Sequence, residues 1–328
     1  MKYRRLLGTD LEVSELGVGC ARLGGLFYKA SEADTVALLH TALDAGVTFF
    51  DTADMYAQGE SERLLGKAFG SCRDRVIIAS KVGYMLPPQR KLMDRLKPIA
   101  RPLVRRLGFS RRLSTPLVRG SLVQDFSPGK ISMALEGSLS RLQTDYLDLL
   151  MLHGVPNGQW DETIDRLESL KSRGLVRHYG VSCETVDEGY ECLDRSEVSA
   201  VQIGVSLLHQ EAVSFMEDSR ARGIGIVARQ CYASGLLSRP STQTDFSDQP
   251  PERLPGVRSF EAIAEAHGRR LPEVALKFVN SLPGVDVTLV GIRTPVHLRD
   301  AITFLEAPPL SEAEMSELTA LRSHPSQP

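Results

Sequence analysis

Residues 125–153 read DFSPGKISMALEGSLSRLQTDYLDLLMLH. Ser127 and Pro128 form a helix start, a capping residue followed by proline at the first helical position. They predict a helix from Pro128 to Leu142. LDLLMLH, at 147–153, is a short and nearly unbroken apolar run, the pattern of a strand buried on both faces. A histidine closes it. One helix feeding one buried strand is the repeating unit of a parallel α/β protein.

The rhythm extends in both directions. Upstream, VTFFD (47–51) is followed by a helical stretch from Ser61 to Phe69 and then RVIIASKV (75–82). Downstream come a helix near Thr163 to Ser172 and VRHYGVS (176–182). A helix near Val186 to Asp194 leads to SAVQIGV (199–205), and one from Glu211 to Ala221 to GIGIVAR (223–229). Helices near Phe260 to Ala266 and Pro272 to Asn280 precede VDVTLVGI (285–292), and Pro295 opens a final helical region. LGVGC (16–20) supplies an eighth strand. Eight such units predict a (β/α)8 TIM barrel, with residues 1–328 as a single barrel domain. Before it, YRRLLGTDLEVSEL (3–16) reads as two short strands around Gly8-Thr9-Asp10, a β-hairpin closing the barrel bottom. A doubly wound dinucleotide fold would want G-x-G-x-x-G after its first strand. Gly17 and Gly19 begin that motif, but position 22 is Arg.

Two segments break the rhythm. Residues 86–124 carry ten Lys and Arg against one acid, Asp94. This basic insertion reads as a cover for the substrate pocket, as an attractor of an anionic substrate, or as a surface-docking element. Residues 238–256, rich in Pro, Ser and Asp, read as an irregular loop. The formal charge of the whole is −2. Five scattered cysteines without a C-x-x-C pair argue against a disulfide framework or zinc site and fit a cytoplasmic setting. The start MKYRRLLGTD has no apolar leader core, and no run approaches the ~20 apolar residues of a membrane span. No nucleic-acid partner is expected.

Four polar residues stand out at strand ends. Asp51 closes VTFFD, Tyr56 follows in the loop TADMY, Lys81 closes RVIIASK, and His153 closes LDLLMLH. Singly, each has an ordinary explanation as a turn, solvated or core residue. At one barrel rim they make a proton-transfer set. A tyrosine is a weak acid near pH 7, and a neighbouring ammonium lowers its pKa by stabilising the phenolate. Lys81 supplies the ammonium, Asp51 holds it, and His153 hydrogen-bonds a carbonyl oxygen. No side chain donates hydride, so a nicotinamide or flavin is required.

FDTADMYAQGESERLLGKAF, IIASKVG and LDLLMLHGVP resemble the three signature blocks of the aldo-keto reductases, and the resemblance runs through almost the whole chain. It implies a (β/α)8 barrel that reduces small-molecule aldehydes or ketones with NADPH. It gives Tyr56 the role of general acid, Lys81 and Asp51 that of its pKa-lowering pair, and His153 that of orienting the carbonyl. Ser182 and Gln202 match residues that hold the nicotinamide carboxamide, and Arg229 one that stacks on the ring. Gly235 and Leu236, within ASGLL (233–237), match the loop over the pyrophosphate. Arg293 and His297, within GIRTPVHLRDA, match the adenosine end, where Arg293 would pair with a 2′-phosphate. Departures at Cys183, Ser206, His297, Asp300 and Ala301 keep NAD(H) use open, with alcohol or sugar oxidation as the reaction. Binding-only relatives, the potassium-channel beta subunits, share the fold and cofactor site. Another reductase class uses Y-x-x-x-K, and no tyrosine here has lysine four residues on.

Overall fold

A computed structural model describes residues 1–25, 28, 30–85, 123–243 and 253–321. The bulk of the basic insertion, 86–122, and residues 244–252 of the irregular loop lie outside the described residues.

Twelve strands are described: β1 (Tyr3–Arg5), β2 (Glu12–Ser14), β3 (Leu16–Gly19), β4 (Phe49–Asp51), β5 (Ile77–Val82), β6 (Tyr84–Met85), β7 (Val123–Gln124), β8 (Leu147–Leu152), β9 (Val176–Ser182), β10 (Ala200–Gly204), β11 (Gly225–Arg229) and β12 (Val285–Val290). The helices are α1 (Glu32–Asp44), α2 (Glu60–Phe69), α3 (Pro128–Leu142), α4 (Trp160–Ser172), α5 (Val186–Leu193), α6 (Ala212–Ala221), α7 (Arg253–Ala266), α8 (Leu271–Ser281), α9 (Pro295–Glu306) and α10 (Glu312–Ala320). Eight strands form a closed barrel in the order β3-β4-β5-β8-β9-β10-β11-β12, with helices between them, the expected (β/α)8 architecture. Within it, the pairs β4–β5, β5–β8, β8–β9, β10–β11 and β11–β12 are parallel. β1 and β2 form the expected antiparallel hairpin, Tyr3 opposite Ser14.

By density of internal contacts the chain divides into two compact units. One comprises Val18–Ser182 and Gly291–Pro295; the other Met1–Gly17, Cys183–Val290 and Val296–Pro328. In the first, β8 is buried at all six residues. Its second residue, Asp148, is tolerated there because its carboxylate accepts from the Ile78 amide at 2.9 Å, Arg73 at 2.6 Å and Arg177 at 2.9 Å. Phe50 of β4 and Phe69 of α2 pack with centroids 4.5 Å apart, which seats α2 against β4. Burying such a ring is worth roughly 1.5–3 kcal/mol.

In the second unit, β12 repeats the pattern. Asp286, again the second strand residue, accepts from the amides of Leu7 and Ile226. The hairpin is thereby fixed to the start of β12, and Arg4 adds bonds to the carbonyls of Val285 and Asn280. The hairpin thus covers the N-terminal ends of strands, as its sequence predicts.

Some boundaries differ from the sequence expectation. α1 was not expected; its start is a capping box in which Ser31 and Asp34 exchange bonds. α7 begins at Arg253, seven residues before Phe260, so the irregular loop stops short of Gly256. Pro255 falls in the first helical turn, where its missing N–H costs nothing. Val123 and Gln124, the end of the insertion, form β7 against β6.

Candidate active site

Asp51, Tyr56, Lys81 and His153 all belong to the first unit and converge at the carboxyl ends of β4, β5 and β8. Lys81 is fully buried. Its ammonium donates to Asp51 Oδ1 at 2.5 Å, to the Thr52 carbonyl at 3.1 Å and to Tyr56 Oη at 3.4 Å. Burial works against the charged amine, but Asp51 and the Tyr56 hydroxyl overcome it and hold the Lys81 pKa above the ordinary lysine value. The His153 ring stands edge-on to Tyr56, centroids 6.0 Å apart at 84°. Its backbone N–H donates to the Val82 carbonyl at 2.8 Å, which continues the β5–β8 ladder one residue past the strand.

The tyrosine loop is unusual backbone. Ala57, Gln58 and Gly59 follow one another at φ 50°, 61° and 83°, all left-handed. Two non-glycine residues there cost of order 1–3 kcal/mol each, and such strain persists only where surroundings over-determine it. The residues just after supply that: Glu60 accepts from the Gly25 amide at 2.8 Å, and Ser61 links the Thr52 hydroxyl to the Cys20 carbonyl.

The residues matched to a nicotinamide cofactor are placed as follows. Ser182 is buried at the end of β9. In the second unit, Gln202 is buried in β10 and its carbonyl accepts from the Cys183 amide at 2.8 Å. Arg229, at the end of β11, donates to the Cys183 carbonyl at 2.8 Å and to the Glu184 carboxylate. Its Nε is buried with no partner among the described residues. Ala233, Ser234 and Gly235 have φ of 45°, 60° and 109°, and a Cβ on Gly235 would meet only Ser238 Oγ at 3.8 Å. Leu236, the residue after this turn, is buried. A turn with room over a glycine, and a guanidinium N–H with bonding capacity left, fit a phosphate-bearing aromatic cofactor. Arg293 is exposed in the loop before α9, and His297 is half-buried in the first turn of that helix.

The aldo/keto reductase family model matches residues 15–323. The chain belongs to the aldo-keto reductase family. This aldo-keto reductase is 29% identical to the uncharacterised oxidoreductase YqkF of Bacillus subtilis (strain 168), over 100% of this chain and 97% of the relative. It is 26% identical to L-galactose dehydrogenase of Arabidopsis thaliana, over 98% of this chain and 94% of that one. Among solved structures it is similar to the holo form of aldo-keto reductase AKR11C1 from Bacillus halodurans. The TM-score is 0.78 at 29% identity, covering 98% of this chain and 96% of that one. The protein is accordingly an NAD(P)H-dependent oxidoreductase.

The aldo-keto reductase site also contains residues that sequence reading missed. Tyr84 of β6 packs its ring on His153, centroids 4.8 Å apart, and Gln124 of β7 donates to the His153 carbonyl at 2.9 Å. These two face each other across the β6–β7 pair, so the segments flanking the insertion meet beside His153. The glycines on either side of that junction permit it. A Cβ on Gly83 would lie 2.2 Å from the Phe126 ring, and one on Gly154 2.3 Å from the Gln124 amide. Asp54, between Asp51 and Tyr56, is the other omission. Burial, then the nearby Glu62 carboxylate, push its pKa up to about 7. Its position in TADMY was legible; its environment was not.

Proposed function

We propose that this aldo-keto reductase reduces an aldehyde or ketone to an alcohol with NADPH, with Tyr56 as the proton donor. The observation that carries this reading is the Lys81 ammonium, within 2.5 Å of Asp51 and 3.4 Å of Tyr56 in a buried site. As Tyr56 gives its proton to the carbonyl oxygen, the developing phenolate faces a cation already in place, so little reorganisation is needed. Asp51 keeps Lys81 charged and aimed. His153 orients the carbonyl oxygen toward the phenol. The bound nicotinamide supplies the hydride. Ser182, Gln202 and Arg229 would hold its ring end, Gly235 and Leu236 its pyrophosphate, and Arg293 and His297 its adenosine end. Arg293 favours NADPH, because a guanidinium matches a 2′-phosphate bidentately.

The chain acts in this reading as one barrel domain. Meeting beside His153, Tyr84 and Gln124 support the basic insertion as a cover for the substrate pocket. Five free cysteines fit a reducing, cytoplasmic setting. The likeness to L-galactose dehydrogenase across nearly the whole chain favours a second reading, oxidation of a sugar or alcohol with NAD. The same groups then run in reverse, with the Tyr56 phenolate as base.

Initial rates over a panel of aldehydes and ketones with NADPH and NADH, and of sugars and alcohols with NADP and NAD, separate the two. Tyr56→Phe should abolish turnover while leaving cofactor-induced fluorescence quenching intact. A surviving rate rules Tyr56 out as the acid. Cofactor binding without turnover on either panel would favour a non-catalytic, cofactor-sensing subunit.

A further inference from the structure

Glu62 is a fully buried carboxylate that the proton-transfer scheme does not use. It lies in the first turn of α2, six residues past Tyr56. One oxygen accepts from the Ser80 hydroxyl at 2.6 Å, and the other from Arg141 Nε at 2.6 Å. Both partners are informative. Ser80 immediately precedes Lys81 on β5, and consecutive strand residues point to opposite faces. Glu62 therefore grips the outer side of the strand whose inner side carries the ammonium.

Arg141, at the end of α3, does more than neutralise Glu62. Its side chain lies directly against Gly59, where a Cβ would come within 2.6 Å of Cδ and 2.8 Å of Nε. Gly59 is the last of the three left-handed residues after Tyr56. Arg141 also donates to Ser138 on its own helix at 3.3 Å, which limits its freedom to swing away. The Arg141–Glu62–Ser80 chain thus touches the tyrosine loop at one end and the lysine strand at the other. A buried carboxylate is costly unless it is paired and bonded on both oxygens, as this one is.

We propose that Glu62, clamped by Arg141 and Ser80, is a positioning residue that sets the separation of the Tyr56 hydroxyl from the Lys81 ammonium. Arg141 is its partner in the same role. Neither group touches the reacting atoms. Their effect is exerted through the loop backbone, and the 3.4 Å contact between phenol and ammonium is its product. The inference rests on the reading of Tyr56 as the proton donor.

Two variants of the full chain test it, Arg141→Met and Glu62→Gln; the second leaves no unpaired charge buried. Cofactor affinity should be unchanged in both, while kcat falls about a hundredfold, the scale of a 1 Å misplacement at a reacting centre. Ultraviolet titration of tyrosinate, with Tyr56→Phe as the blank, gives a second readout that needs no substrate. Tyr56 should titrate at higher pH in both variants than in the wild type, because it has moved from Lys81. Folded variants with wild-type kcat and wild-type Tyr56 titration overturn the proposal. So does failure of both to fold, which would make the pair a general structural brace. If the unmodified protein turns over nothing on the panels, the proposed function fails, yet the titration still decides the positioning.

Discussion

The Lys81 ammonium meets the Asp51 carboxylate at 2.5 Å, and neither side chain is more than 5% exposed. An ion pair so placed has given up its hydration and depends on its partner. Lys81→Met should therefore cost roughly 3–5 kcal/mol, because it strands a buried anion. Asp51→Asn combined with Lys81→Met should cost less than the single change, since no charge is left unpaired. Urea denaturation of the two proteins measures the difference, and an equal or larger loss in the double variant would refute the argument.

Asp54 should make stability fall as pH rises. Its folded value of about 7 lies above the ordinary carboxylate value of 3.8, so the folded chain keeps a proton that the unfolded chain has released. Stability is full below about pH 4 and is lost as pH climbs through 7, by about 4 kcal/mol in order of magnitude. Asp54→Asn removes the titrating group. Its melting temperature should exceed that of the wild type near pH 8, and the gap should close toward about pH 5. A gap that does not change with pH would show that Asp54 is not the group involved.

Gly66 and Gly129 should respond oppositely to alanine. In most helix interiors that change gains up to about 1 kcal/mol. At Gly66 of α2, however, the new Cβ would sit 2.5 Å from the Arg141 carbonyl oxygen and 2.7 Å from the Leu142 carbonyl carbon. Backbone cannot step aside, and a net loss of about 1–3 kcal/mol is expected. Gly129, near the start of α3, has nothing within 4 Å of the added carbon. Gly129→Ala should be neutral to stabilising in the same denaturation assay.

Arg293→Ala should discriminate between cofactors. If the guanidinium pairs with a 2′-phosphate, KM for NADPH rises and KM for NADH does not. The expected penalty is about tenfold to a hundredfold, the worth of a charge-assisted hydrogen bond. Equal effects on both cofactors would remove Arg293 from the phosphate site.

The barrel and its four polar strand-end residues were legible because each rests on local pattern. LDLLMLH announces a buried strand and a histidine at its end in one glance. The Pro128 helix was legible for the same reason, down to both of its ends. Glu62 was not. Nothing in GESER distinguishes a buried glutamate from a solvated one, and its partner Arg141 is 79 residues away. The Tyr84 contact with His153 was hidden similarly, because it depends on how chain re-enters from the insertion. α1 was overlooked although its signal was present: Ser31 and Asp34 stand at capping-box spacing before an apolar run.

The seam around Glu15 has a consequence for synthesis. Its carboxylate receives the Arg4 guanidinium and the Asn280 amide, and its carbonyl accepts from the Thr288 N–H at 2.9 Å. Asn280 follows 265 positions later along the chain. A ribosome makes Asn280 and Thr288 long after Glu15. Contacts so distant in sequence pay the largest loop-closure penalty and form late. The hairpin therefore waits for its docking surface while β3 through β11 are made, and it cannot be fixed in place until β12 has emerged.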